Sequence, residues 1–276
     1  MADGNGRLLL LGKNSFIAQH LLAILPPERV IAKSHGDLDD PTLLDGIDIV
    51  LNCARHPNSN RDDYPFEQLD PDLLIAKRIG ERDIPMIMLS SRKVYASSDG
   101  PLREQSLLSP SDAYGRNKLR AEQAVDDILG ERLTILRLAN IFGDERIPGR
   151  RSFLAMSLNR LAEQGQIRYD MNPFVKRDFL PVDVLAHLLS RIIQEPPGGV
   201  MNLGSGIALP TGRIALWIME GYGGGELLID SYEEKDRFVL DISLQQERYG
   251  QPCTLADLRH CCLDLGRSVR STANCS

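Results

Sequence analysis

Apolar residues in the first half of the chain fall into short unbroken runs, separated by stretches whose apolar positions recur at helical spacing. The runs are 7–12 (RLLLLG), 29–33 (RVIAK), 48–53 (DIVLNC), 84–90 (IPMIMLS) and 132–138 (RLTILRL). Runs this short, bounded by turn residues, suit strands buried on both faces. Between them lie FIAQHLLAIL after residues 13–15, a short helix following GDLDD through Leu44, and a helix over 66–82. The last has Leu69, Leu73, Leu74, Ile75 and Ile79 on its buried side and is interrupted at Pro71. A further helix runs from about Tyr114 to Leu129. Strand and helix alternate, which predicts an α/β fold with a doubly wound parallel sheet.

Beyond residue 143 the alternation changes. Residues 144–152 are polar and rich in Arg and Gly, and 153–164 have a helical pattern. Residues 177–193 predict a strand edge leading into a helix capped near Asp183, and 200–203 return a strand to the sheet. A helix over 211–220, a joint at Gly223–Gly225, short strands around 226–230 and 237–241, and two more helices complete the chain. The pattern divides it into a main domain, 1–143 with 179–206, and a smaller C-terminal lobe, 144–178 with 207–266. Residues 267–276 (RSVRSTANCS) are polar and predicted to be disordered.

Composition narrows the partners. A chain of 276 residues suits one α/β domain with a modest second lobe, and a net charge of −6 gives no reason to expect nucleic acid. No apolar run approaches the roughly 20 residues that span a bilayer. The first residues, MADGNG, lack the basic start and apolar core of a signal peptide. Cys53, Cys253, Cys261, Cys262 and Cys275 form no Cys-x-x-Cys pair and read as reduced thiols. The expectation is a cytoplasmic protein with no nucleic-acid or membrane partner. No His/Cys/Asp group has metal-ligand spacing, so no bound metal is expected.

Three segments carry candidate chemistry. In DAYGRNKLRAE, Tyr114 and Lys118 stand one helical turn apart, and an ammonium held that close to a phenol favours the phenolate. Alone this pair is weak, since surface helices produce it by chance. Gly12, Ser15 and Ala18 occupy the places where a dinucleotide fold commonly has three glycines. Ser15 can cap the following helix, and the amides of Ser15, Phe16 and Ile17 would then face a pyrophosphate. A plain strand–helix corner explains this segment equally well. NAD-specific folds place an acid roughly 20 residues beyond the first glycine. Residues 30–36 (VIAKSHG) contain none, but they do contain Lys33, Ser34 and His35, donors suited to a 2′-phosphate.

LLLLGKNSFIA, SSRKVYA, DAYGRNKLRAE, ILRLANIFG, KRDFLPVDVLA, MNLGSG and FVLDISLQQERYG lie in order between residues 7 and about 250. Together they resemble the extended short-chain dehydrogenase/reductase family, the nucleotide-sugar epimerase/dehydratase/reductase group. The compact layout is most similar to the dTDP-4-dehydrorhamnose reductase branch and neighbouring 4-ketosugar reductases. The resemblance implies a Rossmann-type sheet with a substrate-binding lobe, and a catalytic set of Ser91, Tyr114 and Lys118. The cofactor is expected on Gly12, Asn14, Ser15, Phe16, Ile17, Lys33, Ser34, Asp37, Leu38, Cys53 and Ala54, together with Tyr114 and Lys118. The resemblance places a nucleotide-sugar substrate on Ser91, Asn140 and Arg177.

Reduction of a 4-keto-6-deoxy sugar with NADPH, or less favourably NADH, is the reaction expected. An epimerase that retains its NAD and a non-catalytic dinucleotide sensor are the alternatives. A 4,6-dehydratase has Asp-Glu where this chain has Arg92 and Lys93. Asp70 stands about where many members carry an asparagine. The family's usual pairing implies a homodimer through residues 66–82 and 113–129.

Overall fold

The computed structural model describes residues 6–145 and 153–273. Six parallel strands form the main sheet in the order Val30–Lys33, Leu8–Leu11, Ile49–Asn52, Met86–Ser91, Leu133–Leu138, Gly199–Leu203. The chain moves outward from Leu8–Leu11 to the Val30–Lys33 edge, then returns on the other side with Ile49–Asn52. This reversal opens a crevice at the carboxyl ends of those strands, where open α/β sheets bind ligands.

The unbroken apolar runs follow from burial on both sides. Leu8, Leu10, Ile49, Leu51, Ile87 and Leu136 pack on one face with Ala18, Leu21 and residues of the Val182–Gln194 helix. Leu9, Leu11, Val50, Met86, Met88 and Ile135 point the other way, onto the Pro71–Ile79 and Ala113–Leu129 helices. The expected helix over 66–82 is two, Phe66–Leu69 and Pro71–Ile79, hinged at Asp70. Pro71 sits where a helix's first N–H has no partner to lose, and Asp70 caps it by accepting from the Asp72 and Leu73 amides at 3.1 and 3.2 Å.

Several boundaries differ from expectation. The first helix is only Phe16–Leu22, closing before Pro26 and Pro27, and GDLDD lies in a 3₁₀ turn, His35–Asp39. Asp183 does not cap its helix; it lies in the first turn, 2.6 Å from His20. Glu226–Ile229 is a strand paired with Gln166–Tyr169. Residues 237–241 form no second strand, only a bridge from Leu240 to Leu102. Phe238, Leu240 and Ile242 instead bury against Val94, Tyr95 and Ala139, fastening this segment against the carboxyl end of the sheet.

The disordered tail is overturned for residues 267–273, which continue the Leu255–Ala273 helix. Its polar composition hides one apolar stripe, Leu258, Cys262, Leu265 and Val269, all buried. The stripe packs on the Thr211–Tyr222 helix at a crossing only glycine permits. A Cβ on Gly221 would lie 2.1 Å from the Leu263 carbonyl oxygen, and one on Gly266 2.0 Å from that of Ile218. Residues 274–276 lie outside the described residues, as do 146–152 of the polar stretch. Among the described residues no helix is long and apolar enough to cross a membrane.

Candidate active site

Asp112 starts the Tyr114 helix by accepting from the Gly115 amide at 2.8 Å. A Cβ on Gly115 would lie 2.3 Å from the Lys93 carbonyl oxygen, so glycine lets the helix press against the Arg92–Val94 turn. That turn follows Ser91, the last residue of its strand. Ser91 Oγ accepts from the Lys93 amide at 3.2 Å, a bond that leaves the hydroxyl proton available to an acceptor.

Lys118, one helical turn beyond Tyr114, is buried. Its Nζ donates to the Asp72 carboxylate at 2.9 Å and to the Leu89 carbonyl at 3.0 Å, which leaves the third of its three N–H bonds. Burial opposes the ammonium charge, but Asp72, Tyr114 and Asp70 more than offset it and hold Lys118 above its ordinary value. Asp72 also accepts from Asn52 Nδ2 at 2.6 Å. Burial, then the Asp72 charge, pushes the Asp70 carboxyl up to about 6, with Lys118 working against them. On the outer side the Arg55 guanidinium lies 5.6 Å from the centroid of the Tyr114 ring. Neither Asp72 nor Arg55 was singled out from sequence. The Asp-Pro-Asp at residues 70–72 was the available signal for Asp72, since one acid is spent on the cap and the other turns inward.

The residues expected to hold a dinucleotide flank the crevice. Gly12 has φ 82°, and a Cβ there would lie 2.5 Å from the Ala54 amide nitrogen, so no other residue fits. The Gly12 and Lys13 amides both donate to the Lys33 carbonyl, at 2.8 and 3.1 Å. The Ser15 amide donates to the Gly12 carbonyl at 2.8 Å, so it is spent in the turn rather than free for a phosphate, a correction to the sequence reading. Ser15 Oγ does cap the helix, accepting from the Ala18 amide at 3.2 Å. Asn14 is exposed at the tip of the turn, with Phe16 buried and Ile17 half-buried behind it.

Across the crevice, Lys33 ends the edge strand, its Nζ 3.8 Å from Asp40. Ser34 donates both its amide and its hydroxyl to Asp37, at 2.8 and 3.1 Å. An acid therefore folds back onto a segment that contains none, which spacing along the chain did not reveal. Ser34 holds the Asp37 carboxyl below the usual range, helped by Lys33 and Lys13. Leu38 is buried behind it. Cys53 and Ala54 follow the Ile49–Asn52 strand, where the Asn52 side chain accepts from the Ala54 amide at 2.9 Å and burial pushes the Cys53 thiol up to about 12.

A cavity of about 820 Å³ opens with Asn140, Arg177, Phe179, Arg92, Lys93 and Asp236 among its lining. Ser91, Tyr114 and Lys118 do not line it, though Arg92, Lys93 and Ser111, their near neighbours in the chain, do. Asn140 opens a short strand, Asn140–Phe142, paired with Phe179–Pro181. Arg177 donates to the Asp236 and Lys235 carbonyls at 3.0 and 2.9 Å. It is not a surface partner of Asp178. That carboxylate is fully buried and accepts from the Ser205 amide and hydroxyl and from the Gly206 and Leu240 amides. Among the described residues no three His, Cys, Asp or Glu side chains are grouped to hold a metal.

The model of the NAD dependent epimerase/dehydratase family matches residues 9–204, well over half of the chain. A dTDP-4-dehydro-6-deoxyglucose reductase of Escherichia coli is 26% identical over 154 residues, covering 53% of this chain and 49% of the relative. An ADP-L-glycero-D-manno-heptose-6-epimerase of Alkalilimnicola ehrlichii is 26% identical over 159 residues, covering 53% and 50%. The matched segments thus span about half the length of these curated relatives. Among solved structures, TunA, an NAD-dependent NDP-hexosamine 5,6-dehydratase involved in tunicamycin biosynthesis, superposes with a TM-score of 0.79 at 20% identity. It covers 95% of this chain and 98% of its own.

Proposed function

Because the chain belongs to the NAD dependent epimerase/dehydratase family, we propose that it reduces the keto group of a nucleotide-linked 4-keto-6-deoxy sugar. The observation that carries this reading is the cationic character of the turn after Ser91. Arg92 is paired with Asp236, and Lys93 lies 2.5 Å from Asp112. A dehydratase uses a carboxyl pair at those two places to move water out of the sugar, and a guanidinium and an ammonium each ion-paired to a carboxylate do not supply that pair.

The donor set around the crevice suits a dinucleotide. Gly12 brings the turn against Ala54, and Lys118 keeps one N–H for a ribose hydroxyl. When bound, a nicotinamide supplies the hydride. Ser91 donates its free proton to the substrate carbonyl and fixes its orientation. Tyr114 gives a proton to the oxygen as negative charge develops there. Lys118, pinned by Asp72 and the Leu89 carbonyl, keeps a positive charge near Tyr114 through that step. Asn140 and Arg177 hold the substrate's phosphates from the cavity side, and Lys33 meets the 2′-phosphate of NADPH.

An epimerase with retained NAD is the second reading, supported by the epimerase among the relatives. Mass spectrometry of nucleotides extracted from the purified protein separates the two. The reductase arrives without stoichiometric cofactor, whereas one NAD per chain would favour the epimerase. The proposed homodimer would bury the outer faces of the Pro71–Ile79 and Ala113–Leu129 helices. Sedimentation at micromolar protein tests it, and a monomer there would dispose of it.

A further inference from the structure

Three of the cations lining the large cavity come from two separate parts of the chain and meet at one side chain. Arg92 and Lys93 come from the turn after the Met86–Ser91 strand, and Arg177 from the short strand Lys176–Arg177. All three face Asp236, carried on the segment between Glu226–Ile229 and the Ser243–Tyr249 helix. The Arg92 guanidinium donates to both carboxylate oxygens while lying over the Phe238 ring, 3.9 Å from its centroid. Lys93 Nζ is 3.6 Å and Arg177 Nη2 3.8 Å from the same carboxylate. All four residues line the cavity.

The backbone of Asp236 is unusual as well. Among the described residues it is the one non-glycine at positive φ, 64°. Arg177 holds it there through the carbonyls of Lys235 and Asp236. A residue kept in a sparsely populated backbone conformation needs its surroundings to over-determine it. Here those surroundings are a fork-shaped donor and two further positive charges, the pattern that recognises phosphate oxygens. Lys93 is shared with Asp112, the cap of the Tyr114 helix, so the seat is joined to the start of that helix through Lys93. Burial works against the Asp236 charge, but Arg92, Lys93 and Arg177 hold its carboxyl at about 2, leaving it an anion at any working pH.

We infer that Asp236 is a resident anion in the substrate's phosphate seat, and that a diphosphate ester enters by displacing it from Arg92, Lys93 and Arg177. The nature of the ligand rests on the nucleotide-sugar reading; the occupancy of the seat rests on the geometry alone. A tethered carboxylate competes at high effective concentration, so it lowers the affinity of every phosphate ligand and excludes those that cannot contact more than one of the cations. The opposite role, a pin that holds the two arginines in place for the ligand, predicts an effect of opposite sign.

The test is calorimetric titration of the full chain, and of its Asp236→Asn and Asp236→Gly variants, with inorganic pyrophosphate and with UDP. Glycine suits the left-handed backbone, which keeps the test open should the asparagine variant fold poorly. Both variants are expected to bind both probes at least fivefold more tightly than the unaltered protein. Unchanged or weaker binding in the variants, with the unaltered protein binding measurably, would overturn the inference and make Asp236 a pin. Tighter pyrophosphate binding without any UDP binding would uphold the resident anion and count against the nucleotide-sugar substrate. Binding of neither probe to any of the three proteins would overturn both.

Discussion

Asp72→Asn removes one charge from the foundation of the proposed catalytic pair while keeping side-chain size and an acceptor for Asn52. The Lys118–Asp72 contact is 2.9 Å long, with the two side chains 10% and 2% exposed. Removing one partner of a buried pair costs about 3–5 kcal/mol, because the other charge stays behind. The Leu89 carbonyl and the Asp70 carboxylate still face Lys118, which sets the expectation at the low end, about 3 kcal/mol. At about 2–4 °C per kcal/mol for a chain approaching this size, the midpoint should fall by about 6–12 °C. Urea unfolding followed by circular dichroism measures the loss for Asp72→Asn, for Lys118→Met and for the double variant. The double variant removes both charges, so it should cost about 2–3 kcal/mol less than the sum of the single losses, a coupling in the range of contacting residues. Single losses below about 1 kcal/mol, adding without coupling, would refute the claim that this pair anchors the site.

Asp70 gives a pH signature. Its folded-state value, about 6, lies above the ordinary 3.8, so the folded protein holds this proton more tightly than the unfolded chain does. That contribution is full below 3.8 and is lost as pH rises through about 6. Asp70→Asn keeps the helix cap, so it should flatten this slope and raise stability at pH 7 by about 1–3 kcal/mol; denaturant melts at pH 4.5 and pH 7 check both. Tyr114→Phe should fold normally yet lose at least about a hundredfold in turnover, and near-normal activity would remove Tyr114 from the site. Lys33→Asp should shift cofactor preference from NADPH toward NADH; equal efficiency with both in the unaltered protein, or no shift in the variant, would count against Lys33 as the phosphate partner.

The sheet was legible because its strands are buried on both sides, which writes each as an apolar run that local pattern reveals. Tyr114, Lys118 and Ser91 could be nominated from sequence for a similar reason, since their motifs are local. What was hidden depends on folding back. Asp37 was named from sequence as a cofactor contact, but its hydrogen bond to Ser34 forms through a 3₁₀ turn that the spacing of residues 30–36 does not show. Asp236 meets Arg92 across 144 residues, and no spacing rule joins them. The last helix was misread because polar composition dominates RSVRSTANCS. The Val269 it buries continues a stripe that begins well before that stretch, at Leu258.

The most direct test of the proposed reaction is the absorbance of NADPH on mixing the purified protein with a nucleotide-linked 4-keto-6-deoxyhexose. One NADPH should be oxidised for each keto group reduced, with the cofactor released each cycle and the signal lost in Tyr114→Phe. A protein that instead carries bound NAD and interconverts two sugar nucleotides with no added cofactor would contradict it.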